Sequence, residues 1–463
     1  MADLVFLSLH PFVKSTVVDK VRGTIFGSAL GDAIGLYTEF LSKDLSTYAY
    51  GAYPEARFQL TTPTTEFYPD GHRNKFTLRS WTDDTDHALL IILSFLHSNG
   101  TVISPRDFAA RLKVWVEQGL RCLDRLPLGL GATVGRVVCD KNYSKNPELV
   151  AYEVWASRGC NIAPNGSLMR AHPLGIICIE KSLEETFQIA IDYSVVTHAD
   201  PRCVVACCVH TALIRGILRG EVTSEEDVGR ILEASFTSVE QWQQNGRLFN
   251  ITKNTPRGVP ADVLVAEPVL DRVEFDRYVN ASSFEELQLD SAREIGYVYK
   301  ALGSCILCLR LAIRHSKGQL IDEQYMQAGT NIFEELITAL IMQGGDADTN
   351  ACIAGAVLGA WIGNIGLPPS WRNGLDHNRW LLHKCRAMEQ VLGIDESLTG
   401  YDGVKDRDTL SDGGRGLLDK PSLEARDAAF VEMYTKKMKR MAERKAHKES
   451  KETGRGWIRG LLR

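Results

Sequence analysis

The stretch GTIFGSALGDAIGLYTEF, residues 23–40, places glycine at Gly23, Gly27, Gly31 and Gly35, and the next four-residue step falls on Glu39. With no proline and apolar residues throughout, the stretch reads as helix. A glycine in a helix interior costs roughly 1 kcal/mol relative to alanine, so four of them demand a compensating gain. Glycine lets another helix axis approach closely. A four-residue step drifts by about 40° on an ideal helix, so the line winds around the helix and successive neighbours can each press in. Glu39 is then delivered to the place where those helices meet.

Bulk properties limit the remaining choices. The chain has 463 residues, enough for one large core or two to three ordinary domains. It is 44% hydrophobic and 24% charged, as in a soluble globular protein, and its net charge of -5 gives no global attraction to nucleic acid. The opening residues MADLVFLSLHPFVKS lack the basic start and long apolar run of a signal peptide. Without a run of 18 apolar residues, no membrane span is expected. The eleven cysteines are irregularly spaced; Cys305 and Cys308 form a CxxC pair that no second pair or histidine cluster accompanies. Buried reduced thiols in a reducing compartment, cytoplasmic or nuclear, are the expectation.

Helical periodicity runs from about residue 17 to 365, in segments such as DDTDHALLIILSFLHS, RCVVACCVHTALIRGILRG and IGYVYKALGSCILCLRLAIRHS. Strand-like alternation is scarce and no βαβ rhythm appears, which predicts one all-helical domain over residues 17–375. Within it, residues of about 221–290 are more polar and contain TKNTPRGVPADVLVAEPVL, the pattern of an insertion or cap. Residues 376–463 form a C-terminal extension. Its segment 401–423 reads as loop or linker, and its end is strongly basic, with Phe430, Met433, Tyr434, Met438 and Met441 at helical spacing. The tail reads as a solvated surface helix with a frayed end or as a contact for nucleic acid or an acidic partner, which no other part of the chain suits.

Two acidic clusters carry the chemistry. In SWTDDTDHALL, Thr82, Asp83, Asp84, Thr85 and Asp86 stand just ahead of an apolar helix. One residue suffices for N-capping; three carboxylates in four positions repel one another unless a cation holds them. In QGGDADTNACIAGAVLGAWIG, two glycines permit a sharp turn before Asp346, Asp348 and Thr349 open a second helix, itself rich in small residues. All-oxygen donors favour hard cations such as Mg²⁺, Mn²⁺ or Ca²⁺, and two clusters supply enough ligands for a pair of ions. Three further stretches suit binding: LGLGATVGRVV, with Gly129 and Gly131 before a helix; APNGSLMRAHPLGII, with Asn165, Gly166, Ser167, Met169 and Arg170 between two prolines; and His198 in VVTHADPRC. A plain turn and a structural histidine remain the alternatives for the first and last.

Taken together, these stretches resemble the ADP-ribosylglycohydrolase family, related to the dinitrogenase-reductase-activating glycohydrolase. The matching motifs are GTIFGSALGDAIGLYTEF, WTDDTDHALL, LGLGATVG, NGSLMRAHPLG, THADP, IGYVYKALGSCI and GGDADTNACIAGAVLGAWIG, in family order over about residues 20–365. The resemblance implies an all-α, orthogonally packed helical bundle holding two Mg²⁺ ions, with Mn²⁺ able to substitute. It implies hydrolysis at C1″ of the distal ribose of ADP-ribose, removing ADP-ribose from modified proteins. Small conjugates such as O-acetyl-ADP-ribose are the alternative substrates, and a catalytically silent ADP-ribose-binding module is the alternative function. Carried over by position, Thr82, Asp83, Asp84, Asp346, Asp348 and Thr349 are metal ligands, and Glu39, Asp83 and Asp84 are catalytic. Gly129, Gly131, Asn165, Gly166, Ser167, Met169 and His198 contact ADP-ribose. Some arginine-directed members carry an acidic residue beside the glycine-rich loop; here Asp124 stands a few residues early.

Overall fold

The computed structural model describes residues 4–8, 10–244, 268–318, 331–395 and 399–461, with side chains described to residue 443 in the last stretch. The fold is all-α. Among the described residues there is no strand, only the isolated bridges Leu120–Arg125 and Pro164–Tyr297. The helices are α1 (Pro11–Gly35), α2 (Lys43–Tyr50), α3 (Asp83–His97), α4 (Pro105–Gln118), α5 (Ala132–Val138), α6 (Pro147–Ala156), α7 (His172–Ile177), α8 (Leu183–Val195) and α9 (Pro201–Arg219). There follow α10 (Glu225–Gln244), α11 (Arg272–Val279), α12 (Phe284–Leu287), α13 (Val298–Ser316), α14 (Ile332–Ile341), α15 (Ala347–Ile362), α16 (Pro369–Gly374), α17 (Asn378–Val391) and α18 (Lys420–Leu461).

The glycine line of α1 faces a single partner. A Cβ on Gly23, Gly27 or Gly31 would lie 2.2, 2.2 and 1.9 Å from the carbonyl oxygens of Gly359, Gly355 and Ala351, and one on Gly35 would lie 2.3 Å from Asp348 Cα. The expectation of successive neighbours is therefore corrected. Because α15 carries small residues at the same four-residue step, it follows the drift of the line and runs antiparallel along its whole length. Backbone meets backbone, and the closest approach continues to the end of α1 that leads into Glu39.

Around this pair, α9 and α13 complete the core, with nearly every α9 side chain buried. By length and composition α9 could cross a membrane, but 94% of that window is buried inside the helical body, as befits a core helix. Ten cysteines are buried, Cys139 is exposed, and none forms a disulfide among the described residues. In the polar segment, α10 buries Val228, Leu232, Phe236 and Val239. Most of the proline-containing stretch there, residues 252–267, lies outside the described residues.

The C-terminal extension lies along the body. Lys384 pairs with Asp406 at 2.6 Å and Asp408 at 2.8 Å, and Arg111 donates to the Thr409 carbonyl at 2.7 Å. Gln118 exchanges two hydrogen bonds with the backbone of Leu418, at 2.7 and 3.2 Å. In α18 the half-buried positions 423, 426, 430, 433, 434, 437, 438 and 441 recur at helical spacing, so one face rests on the body.

Candidate metal centre

Three chain segments meet at the end of the α1–α15 pair. The first is the turn after α1, carrying Glu39. It is tied to the second, the Gly344–Gly345 turn, by Phe40 N–H to Gly345 O at 2.6 Å and Gly345 N–H to Leu41 O at 2.9 Å. Both glycines have positive φ, 70° and 72°, and a Cβ on either would strike the backbone of Leu41 or Leu289. Only glycine threads this gap, and the turn then launches Asp346 and Asp348 at the start of α15. The third segment is the start of α3, where Thr82 is the N-cap and its hydroxyl accepts from Asp84 N–H.

The SWTDDTDHALL cluster divides its carboxylates between two tasks. Asp86 accepts from the indoles of Trp81 at 2.7 Å and Trp115 at 2.9 Å, with Arg125 at 3.3 Å, a structural network. Asp83 and Asp84 turn towards Glu39 and the α15 carboxylates. Oxygens of Asp32, Asp84 and Asp348 lie within 4.8 Å of one another, as do those of Glu39, Asp346 and Asp348. The two groups share Asp348. The Thr82 hydroxyl reaches Asp84 at 3.0 Å and Asp348 at 3.4 Å, and Thr349 N–H donates to Asp348 at 2.9 Å. Asp83 belongs to neither group; it lies against Gly129, where a Cβ would sit 2.0 Å from its Oδ1.

Asp32 was not singled out in the sequence. It is fully buried on α1 and accepts from Thr82 N–H at 2.8 Å, Thr85 N–H at 3.0 Å and the Thr85 hydroxyl at 2.6 Å. The available signal was a carboxylate inside an apolar glycine helix, one turn before Gly35. His72 and Arg73 also lacked a sequence signal. His72 Nε2 donates to Glu39 Oε2 at 2.6 Å, while buried Arg73 grips the carbonyls of Tyr37, at 2.8 Å, and Glu39.

The proposed substrate contacts separate. Asn165 Nδ2 donates to Asp346 Oδ2 at 2.8 Å, so it orients a carboxylate of the cluster. Gly166 lies against His198, with a hypothetical Cβ 3.1 Å from the ring. His198 shares a 2.7 Å bond between Nδ1 and the Thr197 hydroxyl, and its buried Nε2 has no partner among the described residues. Ser167 accepts from the Ser194 hydroxyl at 3.1 Å, and Met169 is buried, its carbonyl accepting from Cys352 Sγ at 3.6 Å. Gly131 is exposed with open space around it and does not touch the cluster. Asp124 is ion-paired with Arg121.

Electrostatics explain what the cluster can do. Burial, and then the neighbouring carboxylates, push Asp83, Asp84 and Asp348 well above the ordinary range. Burial raises Asp32 to about 7 and, with Glu39 beside it, Asp346 to about 6. Among the described residues no lysine or arginine forms an ion pair with these five, and buried Asp84 Oδ1 has no hydrogen-bond partner. Buried carboxylates are stable when paired or metal-bound. The hard-oxygen set with a shared central ligand therefore fits divalent cations.

A family model described as ADP-ribosylglycohydrolase matches residues 14–398. The ADP-ribosylarginine hydrolase Tri1 of Serratia proteamaculans is 22% identical over 385 residues, covering 83% of this chain and 80% of that protein. The ADP-ribosylhydrolase ARH3 of Gallus gallus is 24% identical over 386 residues, covering 82% and 92% respectively. A solved structure described as an ADP-ribosylglycohydrolase-related protein complex shares the fold, with a TM-score of 0.51 at 21% identity, over 81% of this chain and 99% of that one. The match spans both acidic clusters and the glycine-paired helices that join them, and with these the chain belongs to the ADP-ribosylglycohydrolase family.

Proposed function

We propose that the protein is a Mg²⁺-dependent ADP-ribosyl hydrolase that cleaves the bond at C1″ of the distal ribose and removes ADP-ribose from modified proteins. The observation that carries this reading is the convergence of Asp32, Asp84, Asp346 and Asp348 beside Glu39 with no cationic side chain paired to those aspartates among the described residues. Asp32, Asp84 and Asp348 would hold one Mg²⁺, and Asp346 and Asp348 would share a second, with Thr82 and Thr349 lending hydroxyls. Bound there, the ions would supply Lewis acidity to ribose hydroxyls and to an attacking water.

The chain's own residues then have distinct tasks. Cleavage builds positive character at C1″, and the carboxylate-rich wall favours it electrostatically. Glu39, which accepts from His72 and lies next to Asp346 and Asp348, would accept the proton of the attacking water. Asn165 orients Asp346, and Asp83 packs against Gly129 of the glycine-rich loop.

The test is ADP-ribose release from serine- and arginine-linked substrates with Mg²⁺ and with EDTA. Release from at least one substrate that EDTA abolishes, and that Asp348→Asn lowers by about a thousandfold or more, is the expected result. Release unaffected by EDTA, or an Asp348→Asn protein with full turnover, overturns the metal assignment. ADP-ribose binding without release from either substrate would favour a small conjugate or a binding role.

A further inference from the structure

The C-terminal helix touches the turn that holds Glu39 through His72 and Arg73. Tyr434 donates its hydroxyl to Gly71 O at 3.1 Å, and Lys437 Nζ donates to the carbonyls of Asn74 at 3.2 Å and Phe76 at 3.0 Å. Asn74 Nδ2 lies 3.4 Å from the sulfurs of both Met438 and Met441. These four positions, 434, 437, 438 and 441, share one helix face. All the contacts fall within residues 71–76, the turn that carries His72 and Arg73. The His72 ring is braced by Phe40 and Phe76, with centroids at 5.0 and 5.6 Å. Farther back, Arg426 donates to Gln118 O at 2.7 Å and anchors α18 to the end of α4. The helix thus spans from α4 to the His72 turn, and it lies beyond residue 398, where the family match ends.

We propose that α18 is a positioning arm for the active site: it fixes the 71–76 turn, and His72 in turn fixes the Glu39 carboxylate. His72 is a positioning residue that acts through Glu39, and the arm is a device of this chain's own extension. The proposal rests on the hydrolase reading for its effect on rate, but the mechanical link from α18 to the turn stands apart from it. A helix that merely covers surface would need no directed bonds to three separate backbone carbonyls of this turn. Lys437 and Tyr434 supply them to carbonyls 71, 74 and 76.

The experiment uses the full chain and two kinds of readout. In a Tyr434→Phe/Lys437→Met double variant, amide hydrogen exchange over residues 70–76 is expected to rise about tenfold, with exchange in α1 and α15 unchanged. The same variant and His72→Ala should lower kcat for ADP-ribose release by about tenfold, with KM within about twofold. His72→Gln, which keeps an N–H donor, should restore most of that loss. Unchanged exchange over 70–76 overturns the arm, and so does an unchanged kcat in both variants. If the wild-type protein releases no ADP-ribose, the hydrolase reading fails while the exchange result still decides whether α18 fixes the turn.

Discussion

At the scale of single residues, Asp84 is the carboxylate on which the proposed cation would act most directly. Its Oδ2 takes the Thr82 hydroxyl at 3.0 Å, its buried Oδ1 has no hydrogen-bond partner among the described residues, and carboxylate oxygens of Asp32 and Asp348 lie within 4.8 Å of its carboxylate. Asn is nearly the same shape, removes one charge and supplies a donor. Asp84→Asn should therefore raise the melting temperature of the metal-free protein by about 2 °C or more, because a like-charge repulsion becomes a hydrogen bond. On the proposed metal assignment Mg²⁺ should raise the melting temperature of the wild type, and the same substitution should abolish that rise, since one ligand charge is lost. Melting curves with EDTA and with Mg²⁺ check both. A variant that is less stable without metal and still fully stabilised by Mg²⁺ would remove Asp84 from the centre. Asp86, two positions on, is the counter-case. Its two indole donors and Arg125 complete its bonding, and adjacency in sequence gave no hint of the division.

At the scale of elements, the α1–α15 pair is where sequence and structure can be compared most closely. The four-residue glycine step was legible because its cost as isolated helix has no local benefit. What the step could not reveal was the number of partners: one helix with matching small residues accounts for all four positions. Asp32 was illegible for a related reason. A single carboxylate on an apolar helix is ambiguous until Thr82 and Thr85 from α3 are placed against it. The His72–Glu39 contact joins residues 33 apart through an irregular turn, where no periodicity guides the eye. Within α10, by contrast, a Cβ on Gly229 would meet nothing within 4 Å. Gly229→Ala should stabilise the protein by about 1 kcal/mol through helix propensity alone. Gly27→Ala gains the same propensity, yet its methyl would lie 2.2 Å from Gly355 O, and separating two backbones should leave a net loss of about 2 kcal/mol or more. Denaturant titration of the two variants decides the matter. Equal effects would mean that the close helix contact does not depend on glycine.

At the scale of the whole molecule, the core encloses histidines that are held neutral, and these couple folding to pH. His210 lies wholly inside α9, its Nε2 donating to Ile353 O at 3.1 Å and its Nδ1 without a partner among the described residues. Burial lowers its pKa to about 4, and burial together with nearby His210 lowers that of His172 to about 3. An unfolded histidine titrates near 6.5. Between about pH 6.5 and 4 the unfolded chain therefore binds a proton at position 210 that the folded chain refuses, and stability falls as pH drops through that window. The carboxylates of the metal centre act in the opposite direction, since their raised values favour proton uptake by the folded state. A wild-type curve alone would mix the two effects. The difference between wild type and His210→Gln isolates one histidine, because the amide can still donate to Ile353 O and the carboxylates are common to both proteins. From pH 7 to pH 5 the wild type should lose about 2 kcal/mol more than the variant, read from denaturant midpoints at each pH. Parallel curves over that range would mean that His210 accepts its proton inside the fold, and that the core around α9 opens to charge far more readily than its packing implies.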